Sequence, residues 1–220
     1  FMRFPGGRAK AFTLSYDDGV EQDIRFIEIM DKYALKGTFN LNSGITSPEG
    51  TKFPKGHIHR MLPASALKQY YGKNGNEVAT HGYTHPWPAQ LSTANVCYEI
   101  VKDRETLEND FGYIVNGHAY PYGNYNDAVV DCLRDCGIVY ARTTRATEKF
   151  DIPTDWLRLH PTCHHNHQRV FELCDKFVEM KTEQPQLFYL WGHTYEFEGD
   201  NNWERFIEIA EKISGKEDTW

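Results

Sequence analysis

Strand-forming runs alternate with helical patterns along the whole chain, and that alternation restricts the fold more than any other feature. Lys10–Tyr16 is rich in strand formers, and Gln22–Tyr33 then spaces Ile24, Ile27 and Met30 as a helix would. Gly37–Leu41, Asn76–Thr80, Val115–Tyr120, Ile138–Arg142 and Gln186–Trp191 read as later strands. Helices are predicted from Pro63 toward Tyr70, over Ser92–Asp110, over Asp127–Cys136 with Gly137 as the stop, and over Gln168–Lys181. Trp203, Phe206, Ile207, Ala210 and Ile213 form the apolar face of a last helix. This order argues for an α/β fold with a parallel sheet and outer helices. About seven strands in 220 residues suit a distorted (β/α) barrel, a doubly wound open sheet being the alternative. No repeat or linker interrupts residues 1–220, so one domain is expected. In either architecture function gathers on the loops after the strand C-termini.

Composition removes several classes of function. The formal charge is -7 and no Lys/Arg block exists, so the electrostatic footprint of a nucleic-acid binder is missing. No polybasic stretch suits an anionic membrane surface, and no apolar run approaches the length of a membrane-spanning helix. Phe1 to Gly7 has no apolar core, so Met2 reads as the natural start and the cytoplasm as the expected location. Cys97, Cys132, Cys136, Cys163 and Cys174 are odd in number and form no C-x-x-C pair, which favours reduced thiols. Oligomeric state is not readable.

Four short segments carry the residues suited to chemistry. Ser15-Tyr16-Asp17-Asp18-Gly19 ends the first strand with adjacent carboxylates. Neighbouring strand residues face opposite ways, so a twist is needed before both serve one site. With that twist, one carboxylate binds a cation and the other stays free as a base; an ordinary Asp-Asp-Gly turn is the plain alternative. His81-Gly82-Tyr83-Thr84-His85-Pro86-Trp87 follows a later strand, and two imidazoles with one carboxylate make a facial metal set with open positions. In Ala119-Tyr120-Pro121-Tyr122-Gly123, Pro and Gly stiffen a strand end and aim a backbone N–H at a would-be oxyanion. Leu190-Trp191-Gly192-His193 sets a histidine at a strand end in an apolar wall, as suits a general acid. Two further groups read differently: Cys163-His164-His165-Asn166-His167 as a polar loop entering a helix, and Arg142, Arg145 and Lys149 as a solvated basic cluster.

The four segments, in this order from Phe12 to Tyr195, resemble the polysaccharide deacetylase superfamily, carbohydrate esterase family four. The resemblance implies a distorted barrel and the following roles. Asp17 is the base, Asp18, His81 and His85 are the metal ligands, Tyr122 offers its N–H to the oxyanion, and His193 is the acid. Leu190 and Trp191 line the acetyl pocket, with Pro121 and Trp156 also at the substrate. It further implies a divalent metal, usually Zn2+ with Co2+ able to serve, and an N-acetylated saccharide substrate. Ala119 departs from the family, which usually carries an arginine there to pair with the base. Arg158 is expected to substitute, and Asp155-Trp156 matches an Asp-Trp pair whose aspartate orients the acid histidine. Two alternatives stay open: a C–N hydrolase acting on a non-sugar amide or cyclic imide, and a saccharide-binding protein without catalysis. Trp87, Tyr125 and Tyr195 are candidate sugar-stacking rings.

Overall fold

The computed structural model describes residues 3–220; the expectation about Met2 lies outside them. Seven strands run parallel: β1 Lys10–Asp18, β2 Gly37–Leu41, β3 Glu77–Thr80, β4 Gly117–Ala119, β5 Tyr140–Arg142, β6 Cys163–His164 and β7 Gln186–Gly192. Their spatial order is β5-β4-β3-β2-β1-β7-β6. The sheet curls, and the gap between its edges is spanned by an irregular segment. Leu159 bridges to Arg142 on the β5 edge, and a few residues on the same chain pairs with β7 as β6. This is the expected α/β distorted barrel, incompletely closed.

Seven helices pack around it: α1 Gln22–Lys32, α2 Ala64–Tyr70, α3 Thr93–Phe111, α4 Asp127–Asp135, α5 Val170–Glu179, α6 Thr194–Gly199 and α7 Trp203–Ile213. Local chemistry sets their ends. The Ser92 hydroxyl accepts from the Asn95 N–H at the start of α3, and Gly112 closes that helix with φ 74°. Asn126 caps α4 in the same way through the Val129 N–H.

Alternation along the strands divides the core. Phe12, Leu14 and Tyr16 of β1 face outward and pack with Phe26, Phe188 and Phe206 beneath the helices. A smaller cluster of Val96, Ile100, Val129 and Leu133 lies between α3 and α4. The opposite face of the strands, with Ser15 and Asp17, looks into the barrel. Two elements differ from the sequence reading. Cys163–His164 is an edge strand rather than loop, because β7 offers it a partner. Thr194–Gly199 is a short helix that no apolar repeat announces. All five cysteines are unpaired, and no helix among the described residues is long and apolar enough to cross a membrane.

Candidate active site

The strand C-termini converge on Asp17, Asp18, His81, His85 and His193. Both carboxylates reach one site because Asp18 leaves the extended conformation, with φ 81°. His85 (φ 55°) and Tyr122 (φ 58°) are also left-handed. A non-glycine residue in that region costs of order 1–3 kcal/mol, and such strain clusters at functional sites.

Asp18, His81 and His85 form a group of donors. His81 Nε2 and His85 Nε2 each lie 3.6 Å from Asp18 Oδ1. That is too long for a hydrogen bond. Donors about 2.0–2.1 Å from a tetrahedral ion stand about 3.4 Å apart, so the spacing suits a cation between them. The tautomer agrees. His81 Nδ1 donates to the Ala119 carbonyl at 2.7 Å, which leaves the Nε2 lone pair free. Burial lowers the His85 pKa to about 4, so its imidazole is neutral at ordinary pH. The backbone of His81 is held from behind by Asp103, which accepts from the His81 N–H at 3.0 Å and the Ser43 hydroxyl at 2.6 Å. The donor set therefore fits a divalent cation.

Asp17 is held differently. Its Oδ1 accepts from Asn40 Nδ2 at 2.8 Å, and its Oδ2 from the Arg142 guanidinium. Burial works against the charge, but the Arg142 guanidinium above all, with His193 behind it, keeps the carboxyl below its ordinary range. Arg142 is 1% exposed and lies over the Trp191 ring at 4.5 Å. It is thus neither solvated nor in a basic cluster. It ends β5, on the barrel-facing register, and puts opposite Asp17 the charge that Ala119 cannot supply.

His193 Nε2 is 3.8 Å from Asp17 Oδ2, and its Nδ1 is 3.4 Å from Glu196 Oε1. The other oxygen of Glu196 lies 3.0 Å from both His164 Nε2 and His165 Nε2. Burial opposes the charge on His193, yet Glu196 and the two aspartates raise its pKa to about 9. The turn carrying it is fixed by Asp23, which accepts from the Thr194 hydroxyl at 2.6 Å.

Several expected residues fall elsewhere. Arg158 pairs with Asp127 and Asp155 at 2.7 Å each, at the surface, and does not reach Asp17. Asp155 accepts from the Leu157 N–H as a turn cap and does not approach His193. Trp156 lines a cavity of about 160 Å³ with Thr13, Thr38 and Tyr140, toward the strand N-termini and away from Asp17, Asp18 and His193. Leu190 pairs in register with Leu14 and faces the outer core; alternation gives the inward position to Trp191. Pro121 is buried and opens the tight turn Pro121–Gly123 that follows β4. Tyr125 packs on Tyr120. Sequence reasoning missed Arg142, Glu196 and the two histidines beside it. Arg142 left a signal as a charged residue closing a strand-like run, and His164 and His165 as part of a histidine-dense segment that reads as a polar loop; Glu196 left none.

Comparison with known proteins follows the same line. The polysaccharide deacetylase family model matches residues 5–141, and the chain belongs to that family. The uncharacterized protein YlxY of Bacillus subtilis (strain 168) is 27% identical over 121 residues, 55% of this chain and 33% of YlxY, so the chain spans about a third of that relative. The Streptomyces lividans family 4 carbohydrate esterase, solved in complex with acetate, has a TM-score of 0.59 at 17% identity, covering 96% of this chain and 91% of that one. Streptococcus pyogenes deacetylase PplD, also in complex with acetate, has a TM-score of 0.57 at 21% identity, covering 66% and 61%. At these identities the likeness is one of fold.

Proposed function

We propose that the protein is a metal-dependent hydrolase that removes the N-acetyl group from an N-acetylated sugar or oligosaccharide. The observation that carries this reading is the division of labour between neighbouring carboxylates. Asp18 Oδ1 faces two imidazole nitrogens at 3.6 Å, while both oxygens of Asp17 are engaged by Asn40 and Arg142. Two histidines and one carboxylate are a ligand set that zinc hydrolases use, and likeness to the family adds Zn2+, with Co2+ able to replace it, as the cation of this reading. A divalent cation held there supplies polarisation of the acyl carbonyl and a lowered pKa for water.

The chain's own groups account for the proton movements. Asp17 stays ionised and takes a proton from the attacking water. The Tyr122 N–H, in a turn whose backbone is left-handed at that residue (φ 58°), is the donor assigned to the developing oxyanion. His193, with a pKa near 9, holds a proton at neutral pH and gives it to the departing nitrogen. Glu196 Oε1 lies 3.4 Å from Nδ1 and Asp17 Oδ2 3.8 Å from Nε2, so Nε2 is the nitrogen on the side of the reacting groups and the one assigned to deliver it. Acetate and the protonated amine leave, the second proton of the water passing from the acid product to the nitrogen. The proton gained by Asp17 then balances the one lost by His193.

A saccharide is supported by the aromatic group beside the ligands. The Trp87 ring stacks on Tyr122 at 4.1 Å and 6°, and Tyr122 stands edge-on to His85 at 4.5 Å. Trp87 is 46% exposed, leaving ring surface for a sugar face. The test is acetate release from N-acetylated chito-oligosaccharides. Chelation is expected to abolish turnover and added Zn2+ or Co2+ to restore it. Full activity after complete metal removal would overturn the reading.

A further inference from the structure

His59, a residue of the long loop between β2 and α2, has no part in the chemistry above, yet it touches the same carboxylate. Its Nε2 lies 3.0 Å from Asp18 Oδ2. His81 and His85 face the other oxygen, Oδ1. A carboxylate oxygen has no proton to give, so the proton of this contact sits on His59 Nε2. We propose that His59 is a positioning residue for the cation site, donating to Asp18 Oδ2 so that Asp18 presents Oδ1 alone to the cation. The proposal rests on the reading of Asp18 as a ligand.

Three features support it. The first is the anchoring of the loop on both sides of His59. The Ile58 carbonyl accepts from the buried Gln22 Nε2 at 2.7 Å. Arg60 engages Glu198 through two nitrogens, at 2.7 and 2.9 Å, and Glu21 at 2.6 Å. The Glu21 N–H donates to the Arg60 carbonyl at 2.8 Å, and Met61 bridges to Val20 just beyond the Asp-Asp-Gly turn. The ring is also backed edge-on by Tyr195 at 4.8 Å. This much fixation of an exposed loop residue exceeds what its own packing requires.

The second is the separation of the two oxygens. A bidentate carboxylate would use both and draw the cation away from the imidazoles. With Oδ2 occupied by an N–H, only Oδ1 is left on the side of His81 and His85. The third is coordination number. Three protein ligands leave room for water and substrate, whereas a fourth imidazole would close the site. His59 therefore acts through Asp18 and not on the ion.

The experiment measures Zn2+ affinity of the full chain by competition with a chelating dye, with no substrate present. His59→Ala is expected to raise the Kd about 10–100-fold, the usual effect of losing an outer partner of a ligand. His59→Gln, whose amide N–H can still donate, is expected to recover most of that loss. An unchanged Kd in His59→Ala would overturn the proposal. So would a Gln variant as weak as the Ala variant, since packing rather than donation would then be responsible. A zinc-loaded crystal with His59 Nε2 bonded to the ion would also overturn it. Absence of acetate release with this affinity pattern intact would sink the catalytic reading and leave His59 in its place.

Discussion

Asp17→Asn is expected to slow acetate release about 10²–10⁴-fold, the range lost with a general base, while the zinc content stays at the wild-type value. The amide keeps the shape of the carboxylate. Its Oδ1 can still accept from Asn40, whose Nδ2 lies 2.8 Å from that atom. What it lacks is a basic oxygen for the proton of the attacking water. Because Asp18, His81 and His85 are untouched, metal binding reports separately on the site. Turnover within about threefold of wild type, with zinc bound, would remove Asp17 from the role of base. A parallel loss of zinc would instead make Asp17 a ligand.

Arg142→Met is expected to be the most destabilising single change in the site. Arg142 and Asp17 are both buried, at 1% and 2% exposure. Removing one partner leaves a charge buried without compensation, which costs about 3–5 kcal/mol. The pH dependence has a definite sign. The Asp17 pKa is depressed in the folded protein, so its contribution is fully present above the unfolded value of about 3.9 and is lost as pH falls through the folded value. In the variant, burial is no longer offset by Arg142 and the folded pKa rises. The stability gap between wild type and variant is therefore widest near neutrality, begins to narrow as pH falls through the variant's raised folded value, above about 3.9, and goes on narrowing down to the depressed wild-type value. Urea denaturation of metal-free protein at a series of pH values checks this. A gap below about 1 kcal/mol, or one unchanged between pH 7 and pH 4, would contradict the assigned pairing.

The two residues also mark where sequence reading succeeds and where it stops. Asp17, Asp18, His81, His85 and His193 are legible because each ends a strand or begins the following loop, in short segments whose spacing one strand or turn sets. The long-period elements, α3 and α7 among them, are legible for a similar reason: their apolar spacing is local. Arg142 is not legible in that way. Ala119 and Arg142 end neighbouring strands, paired in register, and sequence alone does not say which neighbour supplies the charge. Arg158 was the expected substitute because it lies between the third and last segments. In space it is drawn instead to Asp127 and Asp155.

Faces pose a second difficulty. Leu190 and Trp191 are adjacent, and both suit an apolar wall. Only the pairing of β7 with β1 decides that Leu190 joins the outer core and Trp191 meets Arg142. Glu196 and His59 are harder still. Glu196 lies on a six-residue helix, too short for a periodic signal, and His59 on a loop whose path is set by contacts with Gln22 and Glu198. Such residues become visible only when the chain is folded, because their partners are remote in sequence.

The proposed chemistry requires a cation between one carboxylate and two imidazoles, with the neighbouring aspartate uncoordinated. Anomalous scattering from a zinc-loaded crystal, collected on both sides of the zinc absorption edge, tests it most directly. The expected result is one strong peak about 2.0–2.2 Å from Asp18 Oδ1, His81 Nε2 and His85 Nε2, with Asp17 still bound to Arg142. A peak coordinated by Asp17, or none near these three side chains in protein shown to be folded, would contradict it.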